Sequence, residues 1–155
     1  MTVADYANRK YDYLAFRNVS ATGQAQLGLA LYDGDTSGQI CTGIQKLAQR
    51  WALEFLTELG SMRGLPTRGS TFMALVRRGA LRTRSDVIAA FNTENMYITR
   101  NLLLEEYTGM PDDERFAAAD LTSVALLPGY MNLHVMITSR AGLSRAVILP
   151  IETLP

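Results

Sequence analysis

The sequence predicts an α+β domain in which two main helices pack on a C-terminal antiparallel β-meander, with short strands near the N-terminus. Changes of hydrophobic period carry that reading. Apolar residues recur every three or four positions from Ile44 to Leu59 and, with interruptions, from Ile88 to Leu103. In the C-terminal third, Leu133, Val135 and Ile137 instead alternate, within a region divided by Pro128-Gly129 and Ala141-Gly142.

In chain order, residues 1–10 are polar and aperiodic and read as a flexible arm; residues 11–155 read as one domain. Tyr11 to Val19 reads either as a short strand or as the start of a partner-binding segment. Leu27, Leu29 and Leu31 alternate with small residues and end in a Tyr-Asp-Gly-Asp turn, and Gly38 to Cys41 suggests another short extended piece. The central helix follows, with Ile44, Leu47, Ala48, Trp51, Ala52, Phe55, Leu56 and Leu59 on one side. Gln45, Lys46, Gln49, Arg50, Glu54 and Glu58 are expected on the solvent side, with Thr42 as cap and Gly60 as terminator. Phe72 to Leu81 reads as a short helix with a basic tail, Arg77, Arg78, Arg82 and Arg84. Ser85 and Asp86 are expected to open a second long, half-buried helix running to about Tyr107, before Gly109 and Pro111. Extended runs at Leu121 to Leu127, Tyr130 to Ser139 and Leu143 to Ile151 then form the meander.

The 155 residues are 48% hydrophobic, enough for one core, and fifteen basic residues balance fifteen acidic ones. A neutral chain has no long-range field to gather nucleic acid or an anionic membrane, so neither is expected as a partner, and the basic tail reads as a solvated or protein-binding face. A single cysteine, Cys41, excludes an intramolecular disulfide; with no charged-then-apolar leader, folding is expected in a reducing cytoplasm. Apolar runs fall short of the roughly 20 residues of a membrane span.

Chemistry is sparse. The carboxylates fall into local groups: Asp33 with Asp35, Glu105 with Glu106, and Asp112 to Glu114. A glycosidase instead needs two carboxyls on opposite sides of a sugar, so turn and cap roles are expected. His134 is the only histidine and sits in an alternating strand opposite Leu133 and Val135. One histidine and one cysteine do not supply a usual zinc site, and the glycines from Gly60 to Gly69 follow a helix where a phosphate loop would follow a strand. No catalytic residue, metal or cofactor is expected. Within the loop, Pro66 fixes φ, Gly64 and Gly69 permit sharp turns, and Arg63 and Arg68 are donors.

Leu56-Thr57-Glu58-Leu59-Gly60, followed six residues later by Pro66-Thr67-Arg68-Gly69, resembles the signature of the GPW-type baseplate wedge proteins of contractile-tailed phages. That is the sheath-initiator family, shared with type VI secretion baseplates. The later order of elements, Ser85 to Ile151, is also similar to that family's. Asp113-Glu114-Arg115-Phe116 stands where the family has Glu-Pro-Arg and an apolar residue, so the proline is missing, and Ser61 replaces an acid whose contacts cannot be carried over.

The resemblance implies a non-enzymatic virion subunit of the tail baseplate, assembled in the host cytoplasm. Its partners would be the tail sheath, the wedge core bundle and the tail tube, with six copies per baseplate and a monomer in isolation. Partner-binding residues would be Arg63, Pro66, Arg68 and Gly69 in the loop, Asp113, Glu114 and Arg115 before the sheet, and Arg145, Val147 and Leu149 on the last strand. That strand is expected to be an edge on which a sheath strand pairs, with Pro150 limiting uncontrolled pairing. Val147→Pro is then expected to block sheath nucleation in a folded monomer. Tyr11, Tyr13, Phe16 and Met110 are expected to be exposed in the isolated chain and covered on assembly. Some family members carry a lysozyme label, which makes a peptidoglycan hydrolase the alternative enzyme, testable by a turbidity assay. A soluble tail-assembly adaptor or chaperone is a third reading, and it would be absent from purified virions.

Overall fold

Apolar spacing and turn residues together produce the layers found in the computed structural model, which describes residues 9–14, 16–19, 24–27, 32–33, 36–37 and 40–153, with side chains considered for 9–14 and 40–153. Among the described residues the order is β1 (Asp12–Tyr13), β2 (Phe16–Val19), β3 (Gln24–Leu27), β4 (Tyr32–Asp33), β5 (Thr36–Ser37), β6 (Ile40–Cys41), α1 (Gly43–Leu56), α2 (Phe72–Arg77), α3 (Arg84–Leu104), β7 (Phe116–Leu127), β8 (Tyr130–Ser139) and β9 (Ser144–Glu152). The short strands pair antiparallel as β1–β6, β2–β3 and β4–β5; β7, β8 and β9 form one antiparallel sheet in that order. The chain is therefore α+β, with helices laid on a C-terminal meander. Leu29, Leu31, Gly38 and the first eight residues lie outside the described residues.

The core sits between α1 and the sheet. Trp51 stacks on Phe55 at 5.1 Å, and Phe72 and Phe91 close the cluster at 4.7 and 5.5 Å from Phe55. Met131, Leu133, Val135 and Ile137 are buried from β8, as their alternation predicts, and Leu149 and Ile151 from β9. His134, on the other face of β8, is half-buried. Trp51 Nε1 donates to Asn95 Oδ1 at 3.0 Å, and Asn95 Nδ2 donates to Ala119 O at 2.9 Å. One asparagine thus ties α1, α3 and β7 together.

Helix ends differ from the sequence reading in specific ways. Thr42 makes no side-chain cap; the Gly43 N–H instead donates to Glu114 Oε1 at 3.2 Å. α1 stops at Leu56, before Gly60: Thr57 keeps the last helical bond to Leu53 O but turns its backbone to the extended region, ψ 129°. Thr57 O and the Leu59 N–H then pair with Ser70, leaving Leu59 exposed. α2 ends at Arg77 in a Schellman motif, with the Gly79 N–H on Val76 O and the Ala80 N–H on Leu75 O. The cap of α3 is Thr83 in place of Ser85, reciprocated by Asp86 in a capping box, and the helix ends at Leu104. The strands extend the expected runs to Phe116 and Glu152.

The larger correction concerns the polar side of α1. Lys46, Gln49 and Glu54 are buried, not solvated. Residues 9–14 run across this side, with Lys10 O accepting from Lys46 Nζ at 2.5 Å and Tyr13 O from Gln49 Nε2 at 2.7 Å. Arg9 and Lys10, expected within a loose arm, are both engaged. Arg9 pairs with Asp113 at 2.7 Å, and Lys10 Nζ sits 4.4 Å from the Tyr107 ring centre. Met110, expected at the surface, is buried, whereas Tyr11 and Tyr13 are exposed.

Candidate partner-docking surfaces

Loop 57–71 is built around one buried carboxylate. Glu54 accepts from Arg68 Nε at 2.9 Å, the Gly69 N–H at 3.0 Å and Asn101 Nδ2 at 2.9 Å. Burial alone would raise its pKa, but the Arg68, Gly69 and Asn101 donors outweigh burial and hold it below the usual carboxylate range. Arg68 reaches on to Glu105, which also takes Arg50 at 2.5 Å. Burial, and then the charge of Arg68, lower the pKa of Arg50. Gly69 has φ +100°, and a Cβ there would meet Thr57 O at 2.5 Å, so only glycine fits. Arg68 and Gly69 are therefore committed to the chain's own Glu54. Arg63 and Pro66 remain exposed on the loop, available to a partner.

The acidic segment is also turned inward. Glu114, 1% exposed, pairs with Lys46 at 2.8 Å. Asp113 Oδ2 takes Arg9, while its Oδ1 is buried without a hydrogen bond among the described residues. Arg115 is held loosely: Nη1 lies 3.4 Å from Asp112, Nη2 donates to Tyr107 O at 3.5 Å, and Nε is buried with no hydrogen bond among the described residues. Asp113 and Glu114 thus act inside the fold.

The third group lies on β9, an edge of the meander. In an antiparallel ladder, paired residues alternate between exchanging both backbone hydrogen bonds and exchanging none. The Ser139 N–H donates to Leu143 O and the Thr153 N–H to Gly129 O, at opposite ends of the same β8–β9 register. Both ends place odd-numbered β9 residues in the hydrogen-bonded positions, with Val147 opposite Val135 and Leu149 opposite Leu133. The amides of Arg145, Val147 and Leu149 therefore point at β8, and the Leu149 side chain is core. The outward backbone groups belong to Ser144, Ala146, Ile148 and Glu152, with Pro150 offering only its carbonyl. A proline at 147 would break the internal ladder, so Val147→Pro cannot isolate a docking function. The β3 Cα atoms come within 8 Å of β9 without ladder pairing. The opposite edge, β7, carries irregularities at Phe116/Ala118 and Leu121/Ser123, and its Ala119 carbonyl is taken by Asn95.

Two surface clefts accompany these groups. One, of about 550 Å³, lies between loop 57–71 and α3, with Leu59, Tyr97, Arg100 and Leu104 in its lining. The other, of about 560 Å³, lies between the end of α2 and the β7–β8 hairpin. Cys41 is buried, and burial followed by the charge of Asp12 pushes its thiol up to about 11, which makes it a poor nucleophile. Among the described residues no three His, Cys, Asp or Glu side chains converge as a metal site, and no helix is long and apolar enough to cross a membrane. Glu94 is a buried polar residue that the sequence reading missed; it accepts from the Thr71 N–H and hydroxyl ahead of α2. No protein-family profile, curated protein or solved structure matches the chain.

Proposed function

We propose that this chain is a non-enzymatic structural subunit of a contractile-tail baseplate, docking on the wedge and nucleating the first sheath ring by β-strand augmentation. In the assembled virion it would lie around the tail tube, in six copies. The observation that carries the reading is the β9 edge, because a regular strand with outward N–H and C=O groups at Ala146 and Ile148 is a template for one more strand. The Leu56 to Gly60 and Pro66 to Gly69 resemblance supplies the identity of the partner strand as one from the sheath. Exposed Arg63 and Pro66 are the groups left for the wedge.

The test uses purified wedge and sheath subunits mixed with the full chain and imaged by electron microscopy. Ile148→Pro removes an outward N–H and leaves the β8–β9 ladder intact, so the variant is expected to fold and to seed no sheath ring. Val147→Pro is expected to lose the folded sheet itself, seen by circular dichroism. Normal ring formation on folded Ile148→Pro would remove β9 as the docking edge.

A further inference from the structure

The cleft of about 560 Å³ at the far end of the meander takes no part in the β9 reading. Its floor is apolar: Val76 and Met131 are buried, and Leu81 packs against the core. Its walls hold Leu126, Leu127 and Tyr130, large side chains between 38% and 42% exposed. Three arginines line it, Arg77, Arg78 and Arg82, and no carboxylate does. A neutral chain has thus gathered positive charge, compensated only at Arg77 by Glu58, over a partly apolar hollow.

The local fold presents those arginines. The Schellman turn at Gly79 reverses the chain after α2, and Arg82 Nε donates to Gly79 O at 3.2 Å, with both terminal nitrogens of that guanidinium free of hydrogen bonds among the described residues. Arg77 is paired with Glu58. Arg78 is exposed and has no ion pair or side-chain hydrogen bond within the described residues. The nearest acid on α3, Asp86, accepts from the Thr83 and Arg82 N–H groups, and these bonds, with the Thr83 backbone bond foremost, hold its pKa below the usual range. It is ionised near neutral pH, and the cap bonds both fall on its Oδ2.

An occupant must therefore supply negative charge for Arg78 and Arg82 and an apolar group for the floor. We propose that this cleft docks an acidic peptide segment of a partner protein, its carboxylates on Arg78 and Arg82 and an aromatic or aliphatic side chain against Leu81, Leu127 and Tyr130. A peptide fits better than nucleic acid because the cleft is concave and apolar at its base, offers one tyrosine, and belongs to a chain of zero net charge. The proposal holds whether or not β9 receives a sheath strand.

The probe is a labelled synthetic peptide in which aspartates flank a central phenylalanine, titrated with the full chain in fluorescence anisotropy. Saturable binding is expected, weakened about tenfold or more by Arg78→Glu, which breaks no internal contact and should leave Tm unchanged. Arg100→Glu makes the same change of charge at an arginine outside the cleft and is expected to leave affinity within about twofold. Tyr130→Ser, or serine in place of the probe's phenylalanine, is expected to weaken binding by about fivefold. The proposal is overturned by absence of binding, by equal losses from Arg78→Glu and Arg100→Glu, by indifference to the phenylalanine, or by a single-stranded oligonucleotide that binds more tightly and competes the peptide away.

Discussion

The two long sides of α1 are both buried, one by aromatic packing and the other by charge pairing. Trp51 and Phe55 fill the first side against Phe72 and Phe91. Lys46, Gln49 and Glu54 hold the second against Glu114, Tyr13 O and loop 57–71. The apolar side is non-directional: any set of side chains of suitable volume would bury similar area. The polar side is directional, since each group on it depends on named partners elsewhere in the chain. It is therefore the polar side that fixes where residues 9–14, the Pro66 to Gly69 turn and the Asp113 to Arg115 segment lie.

The largest expected effect breaks the apolar side. Phe55→Ala removes a ring in contact with three others and leaves a cavity, at a cost of about 4 kcal/mol in denaturant unfolding. A loss below about 1.5 kcal/mol would mean that the cluster collapses around the gap.

Next comes the buried pair on the other side. Glu114→Gln keeps an acceptor for the Gly43 N–H but strands the Lys46 ammonium, 8% exposed, and is expected to cost about 3 kcal/mol. Adding Lys46→Met should recover most of that loss, because replacing both ions removes the uncompensated charge. A double variant no better than Glu114→Gln would show that the pair is not what Glu114 contributes.

What could be read from the sequence follows the same division. Periodicity counts apolar residues, so the Trp51–Phe55 side and the β8 alternation were visible in advance. The buried polar side was not, because Lys46 and Glu114 are separated by 68 positions and no local spacing records their pairing. α3 hid its role for a related reason: Glu94, Asn95 and Asn101 interrupt its apolar pattern because they bind Thr71, Trp51 and Glu54. The loop glycine is legible as a sharp turn and Arg68 as a donor, but the resemblance assigns Arg68 to a partner, whereas it serves the chain's own Glu54. On β9 a signal was present. Pro150 has no N–H and suits a position outside the ladder, which marks even-numbered residues as the outward set and Val147 as inward.

The smallest expected effect separates charge from shape at Glu54. Its folded pKa lies below the unfolded value of about 4.3, so the unfolded chain binds more protons near that pH and stability rises with pH. The contribution is fully present above the unfolded value and is lost as pH falls through the folded one. Glu54→Gln keeps a carbonyl oxygen for the Gly69 N–H or Asn101 but gives up the Arg68 ion pair, costing about 1.5 kcal/mol at pH 7. The gap between wild type and variant should narrow steadily below about pH 4, because protonation turns Glu54 into a neutral group like the amide. A gap that stays constant from pH 7 down to pH 3 would show that shape, not charge, anchors the loop at Glu54. The polar side of α1 would then resemble the apolar side in what it tolerates.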